Sequence, residues 1–86
     1  MITVRFLSGL ERRLGLSENT LFYEGPAPVS FRVLCEQLNI QGLDTITKPL
    51  LVNCLGETFA IDKAFAKLYV PDGETAVIFM IRTMMH

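Results

Sequence analysis

The chain is expected to fold as an α+β roll, a sheet of four to five strands with one main helix packed on one face. Three observations lead there. At the start, Ile2, Val4 and Phe6 alternate with Thr3, Arg5 and Leu7, close to the period-two pattern of a half-buried strand. Further on, Ala76-Val77-Ile78-Phe79-Met80-Ile81 has no polar position. A strand sends successive side chains to opposite faces, so both faces of this one are apolar, which a small sheet with one solvated face does not need. Between them, only the stretch beginning near Ser30 has helical spacing over enough residues to cover a sheet.

The elements follow in order. Strand one takes the opening residues. Residues 8–16 (SGLERRLGL) connect it to a second strand over 20–24, and Leu10, Leu14 and two glycines there suggest a folded loop or a short helical turn. Gly25-Pro26-Ala27-Pro28 then interrupts regular structure. Ser30 is placed to cap a helix, its hydroxyl satisfying an amide of the first turn. Phe31, Leu34, Cys35 and Leu38 share one helical face; Gly42 ends the region, with Asn39 as an earlier stop. A third strand over 50–55 follows Pro49, and a turn containing Gly56 leads into a short fourth strand over 58–61, making a hairpin. Asp62 can cap a helical segment over 63–68 before Pro71 stops it. Val70-Pro71-Asp72-Gly73-Glu74 is a turn, 75–81 the last strand, and Arg82-Thr83-Met84-Met85-His86 a short tail.

Length and composition narrow the function. With 86 residues, half of them apolar, the chain forms one domain with one core, and no linker or repeat marks a second. Its apolar segments are too short to span a bilayer, and residues 1–20 contain Arg5, Glu11, Arg12 and Arg13 where a signal peptide would be apolar, so a cytoplasmic protein without membrane contact is expected. The net charge is −1, with Arg5, Arg12, Arg13 and Arg32 dispersed among acids, which gives no electrostatic footprint for nucleic acid.

Residues able to carry chemistry are few. Cys35 and Cys54 are the only cysteines and have no Cys-x-x-Cys spacing, which argues against a disulfide scaffold, a thioredoxin-type site or a four-cysteine cluster. Cys35 falls on the apolar helix face. Cys54 falls in an expected turn, where it would be exposed and oxidisable, though no neighbouring cation activates it. His86 is the sole histidine and terminal, which leaves no Ser/His/Asp arrangement. No phosphate-binding glycine loop or persuasive carboxylate pair occurs. Met80, Met84 and Met85 could form a soft binding strip, and Arg12 and Arg13 could meet an acidic partner. No metal, cofactor or independent enzymatic activity is expected.

The opening ITVRFLSGLERRLG resembles the start of the molybdopterin synthase small subunit and thiamine sulfur-carrier (MoaD/ThiS) family. LLVN followed by VPDGETAVIF is similar to that family's third strand and its final Asp-Gly turn and strand. The similarity covers nearly the whole chain. It implies a ubiquitin-like β-grasp fold, a mixed sheet whose first and last strands lie parallel at its centre. It also implies a flexible C-terminal Gly-Gly whose carboxylate is adenylated and converted to a thiocarboxylate. Two glycines suit that task because they lack side chains and allow backbone angles that other residues resist. Here Met84-Met85-His86 stands in their place, and no two of Gly9, Gly15, Gly25, Gly42, Gly56 and Gly73 are adjacent.

Two readings stand side by side. One is a noncatalytic interaction module that kept a sulfur-carrier family's docking surface; the other is a sulfur carrier or molybdopterin synthase small subunit activated at an atypical C-terminus. Strand phase supplies the surface. If Ile2, Val4, Phe6, Leu50, Val52, Ala76, Ile78 and Met80 face the helix, then Thr3, Arg5, Leu7, Leu51, Val77, Phe79 and Ile81 form the opposite face, five of the seven apolar. Such a face marks a protein interface. The expected partner is another protein, namely an adenylating enzyme or a molybdopterin synthase large subunit on the carrier reading, or a second copy in a homodimer.

Overall fold

The computed structural model describes residues 1–46, 49–62 and 67–81. The alternation of the opening residues builds strand β1 (Ile2–Phe6), and the all-apolar run builds β7 (Thr75–Met80). These two pair in parallel, with Val4 opposite Ala76 and Phe6 opposite Ile78. The other side of β7 pairs antiparallel with β4 (Leu50–Cys54), which puts Val52 opposite Ile78. Strand β2 (Thr20–Tyr23) lies outside β1, and β5 (Glu57–Ala60) lies outside β4. The mixed sheet therefore runs β2-β1-β7-β4-β5, a β-grasp arrangement with the first and last strands parallel at the centre. β7 is the innermost strand, which accounts for the apolar residues Ala76, Ile78 and Met80 on its core face.

One sheet face carries the core. Ile2, Val4, Phe6, Leu50, Val52, Ala76 and Ile78 are all buried, and Met80 packs against them. Helix α2 (Phe31–Gln37) lies against this face through Phe31, Leu34 and Cys35. Leu10, from the single turn α1 (Leu10–Arg13), completes the packing. Ser30 is the expected cap, its Oγ accepting the Val33 N–H at 3.2 Å. The helix stops at the earlier of the two expected points. Asn39 turns left-handed at φ 57°, and the Ile40 N–H donates to the Cys35 carbonyl at 2.9 Å, satisfying one of the last-turn carbonyls. Gly42 instead heads a 3₁₀ turn over Leu43–Thr45.

Two features differ from the sequence expectation. Val29–Ser30 and Tyr69–Val70 pair antiparallel as a second, two-stranded sheet (β3 and β6), too short for any periodicity to announce. Cys54 is not in the turn. It ends β4 in phase with Leu50 and Val52, so its side chain enters the core and is only 1% exposed. The helical segment expected over 63–68 falls mostly on residues 63–66, and the tail of Arg82, Thr83, Met84, Met85 and His86 lies wholly outside the described residues.

The β4–β5 hairpin has a two-residue turn with Leu55 at φ 57° and Gly56 at φ 75°. Both positions need the left-handed region, which suits Asn-Gly and costs an ordinary side chain roughly 1–2 kcal/mol. Leu55 is exposed there, and its N–H donates to Glu74 Oε1 at 3.0 Å. Leu55→Asn keeps that amide and removes most of the strain, so it is expected to raise the unfolding free energy by about 0.5–1 kcal/mol. A urea midpoint that fails to rise would show that the leucine side chain is itself stabilising.

Candidate functional site: the open face of the sheet

The sheet face away from α2 collects the out-of-phase residues of every strand. Leu51 on β4 stands opposite Phe79 on β7. The Leu7 N–H donates to the Ile78 carbonyl at 3.0 Å, so Leu7 continues β1 alongside Phe79. Leu7, Phe79 and Leu51 thus form one apolar row across three strands. The next row is Arg5, Val77 and Asn53, with Val77 between the other two. Asn53 Nδ2 donates to Thr58 Oγ1 at 3.2 Å and closes that row on β5. Ile81 leaves β7 with its N–H on the Pro49 carbonyl at 3.1 Å.

All six residues nominated from strand phase (Arg5, Leu7, Leu51, Val77, Phe79 and Ile81) therefore share one accessible face. Leu7 is 41% and Ile81 39% exposed, and Leu51, Val77 and Phe79 are half-buried among themselves. Phe22 lies on the same face, separated from the apolar row by Thr3 and Arg5, and escaped the sequence reading. It lies on β2 opposite Thr3 and is 56% exposed. Its signal was the alternation of Thr20 and Phe22 with Leu21 and Tyr23, which becomes decisive only when β2 is registered against β1. Arg5 is the only charged side chain that the strands place on this face.

Among the described residues the strands place no cysteine, histidine, lysine or carboxylate on this face. Cys35 and Cys54 both point to the opposite side. Burial, reinforced by the charge of Glu36, pushes the Cys35 thiol up to about 12. Burial, reinforced by Glu74, pushes Cys54 up to about 11. Both thiols are protonated and shielded at neutral pH, the reverse of an activated thiolate. Among the described residues no group of three His, Cys, Asp or Glu could hold a metal ion, and no helix is long and apolar enough to cross a membrane.

Beside the face, the turn before β7 is fastened to the start of β1. The Met1 amino group pairs with the Asp72 carboxylate, which holds that carboxyl below its ordinary range. The Gly73 N–H donates to the Met1 carbonyl at 3.0 Å. Arg12 and Arg13 are exposed on α1. No protein-family model, curated protein or solved structure matches the chain.

Proposed function

We propose that this domain is a noncatalytic protein-interaction module of the cytoplasm, related to the MoaD/ThiS sulfur carriers, which docks another protein on the open face of its sheet. The observation that carries this reading is the row Leu7, Phe79 and Leu51, flanked by Val77 and Ile81. These are large apolar side chains left accessible on a nearly uncharged sheet face. Burying such a cluster is the main source of association free energy, and Arg5 at its margin supplies orientation. The face spans roughly 20 by 17 Å, five strands by five residues. That is about 350 Å² in projection, below the ~800 Å² per partner of a standard complex, so docking on this face alone belongs to the weak, transient class.

The competing reading is a carrier whose C-terminal carboxylate is activated. It draws on the parallel pairing of β1 with β7, which the resemblance implies. Against it, these 86 residues contain no adjacent glycine pair.

Phe79→Lys tests the proposal. A central aromatic anchor contributes about 2 kcal/mol or more, so its loss is expected to weaken partner capture from the native host roughly 30-fold. A protein that stays folded, recovers the same partners with the same yield and keeps its oligomeric state would sink the docking reading. Intact mass after incubation with ATP, the host's adenylating enzyme and a sulfur donor separates the two readings. An exchange of one oxygen for sulfur at the C-terminal carboxyl would establish the carrier instead.

A further inference from the structure

In the turn that leads into β7, Asp72 precedes Gly73, and every other aspartate or asparagine of the chain precedes a residue with a side chain. We infer that Asp72-Gly73 is a latent isomerisation site, which the fold keeps as aspartate by fastening the turn to Met1 and Thr3 and which converts to isoaspartate when that fastening opens.

The chemistry needs only water. The Gly73 main-chain nitrogen attacks Cγ of the protonated Asp72 carboxyl, an N–Cγ bond forms, and the Cγ–O bond breaks. The hydroxyl leaves with the amide proton as water, which closes a five-membered imide. Water then adds to either imide carbonyl. Cleavage of the new N–Cγ bond restores aspartate. Cleavage of the original peptide bond leaves the main chain running through Cβ and Cγ, with the former main-chain carbonyl as a free carboxylate. Glycine favours ring closure because it brings no Cβ beside the attacking nitrogen.

The reactants adjoin and are reachable. The Asp72 side chain is 71% exposed. The Met1 ammonium, and after it the Gly73 N–H, hold its carboxyl below the ordinary range, so nucleophile and carboxyl are already neighbours. Gly73 lies in the left-handed region at φ 85°, and an added Cβ would meet nothing there.

The same turn holds them back. An ionised carboxylate has no hydroxyl to lose, and the Met1 amino group keeps Asp72 ionised. The Gly73 N–H donates to the Met1 carbonyl at 3.0 Å, which engages the proton that ring closure must remove. The Thr3 N–H donates to the Glu74 carbonyl at 3.0 Å, and the Glu74 N–H to the Pro71 carbonyl at 3.4 Å. The Glu74 carboxylate is itself held by the Leu55 N–H at 3.0 Å. Rotation about Asp72 therefore breaks the first contacts between β1 and β7, and conversion proceeds at a rate set by how often the turn opens.

Conversion would be felt on both sheet faces. Isoaspartate inserts one extra carbon into the main chain just before β7 and moves Gly73 and Glu74 out of step with Met1 and Thr3. Strand β7 carries Ala76 and Ile78 in the core and Val77 and Phe79 on the open face.

The test incubates the full chain at physiological temperature and pH, folded and in urea, and quantifies isoaspartate at residue 72 by peptide mapping with electron-transfer fragmentation. Conversion is expected to be at least about 10-fold faster in urea than in the folded chain. N-terminal acetylation, which removes the Met1 ammonium, should speed the folded chain about threefold, the scale of an exposed ion pair. Asp72→Glu keeps a carboxylate but would have to close a six-membered ring, so it should stay unconverted in both conditions. The isolated isoaspartyl chain should unfold at lower urea than the parent. The inference is overturned by a chain that forms no isoaspartate in urea, by equal rates folded and unfolded, by an acetylated chain that converts no faster, or by an isoaspartyl chain with an unchanged urea midpoint.

Discussion

Replacing Ile78 with alanine is expected to lower the unfolding free energy by about 3–4 kcal/mol, whereas Phe79→Lys, one residue along the same strand, costs less than about 1 kcal/mol. Ile78 is 0% exposed on the innermost strand, flanked by Phe6 on β1 and Val52 on β4. The alanine removes three carbons, about 2.4 kcal/mol of transfer free energy at ~0.8 per methylene, and the cavity adds the rest because the neighbouring strands hold the space open. A chain of 86 residues has a total of only ~4–13 kcal/mol, so this single change consumes a large share. Phe79 faces the open side, where a lysine stem can lie along the sheet with its ammonium in water. Urea midpoints at an unchanged m-value measure both. Equal losses at the two positions would mean that the far face is covered, and the docking proposal would lose its foundation.

Much of this fold was legible because its signals are local. The alternation of residues 2–7 marked the faces of β1 and the serine before Phe31 marked the helix start, whereas the helix ends not at Gly42, the expected end, but at the alternative stop, Asn39. The pairing order is a long-range property that no residue pattern encodes directly. The parallel contact of β1 and β7 entered only through the resemblance, and the structure has it. Two-residue strands leave no periodicity, so β3 and β6 could not be read. Cys54 was misplaced because the residue before a Leu-Gly turn looks like part of the turn, whereas the count of two from Val52 keeps it in the core.

The candidate face was legible for a related reason. A strand apolar on both sides leaves one side uncovered where, among the described residues, only α2 is long enough to cover a face, and at seven residues it covers one. What the sequence withheld was the edge. Phe22 joins the open face through its register with Thr3, which only the pairing of β2 with β1 fixes.

Alkaline pH should unfold this protein through its two buried thiols. In the unfolded chain both ionise near the ordinary value of 9.0, while the folded state holds Cys35 to about 12 and Cys54 to about 11. The folded pKa values are raised, so the stabilisation is complete below pH 9 and is lost as pH climbs towards 11 and 12. Across that window the unfolded state has released protons that the native state retains. The unfolding free energy therefore falls by ~1.4 kcal/mol per pH unit for each thiol. For Cys35 alone the whole interval corresponds to about 4 kcal/mol, the scale of the Ile78→Ala loss. Urea midpoints measured under reducing conditions at neutral pH and above pH 9 should drop steeply for the wild type. The Cys35→Ala/Cys54→Ala double variant, slightly less stable at neutral pH because two buried sulfurs are lost, should show a much flatter profile. Every lysine, tyrosine and arginine is common to both proteins, so parallel profiles would mean that the thiols are not the groups responsible. Such a result would also reopen Cys54 as an accessible thiol, since a cysteine that ionises near 9 in the folded state is one that water reaches.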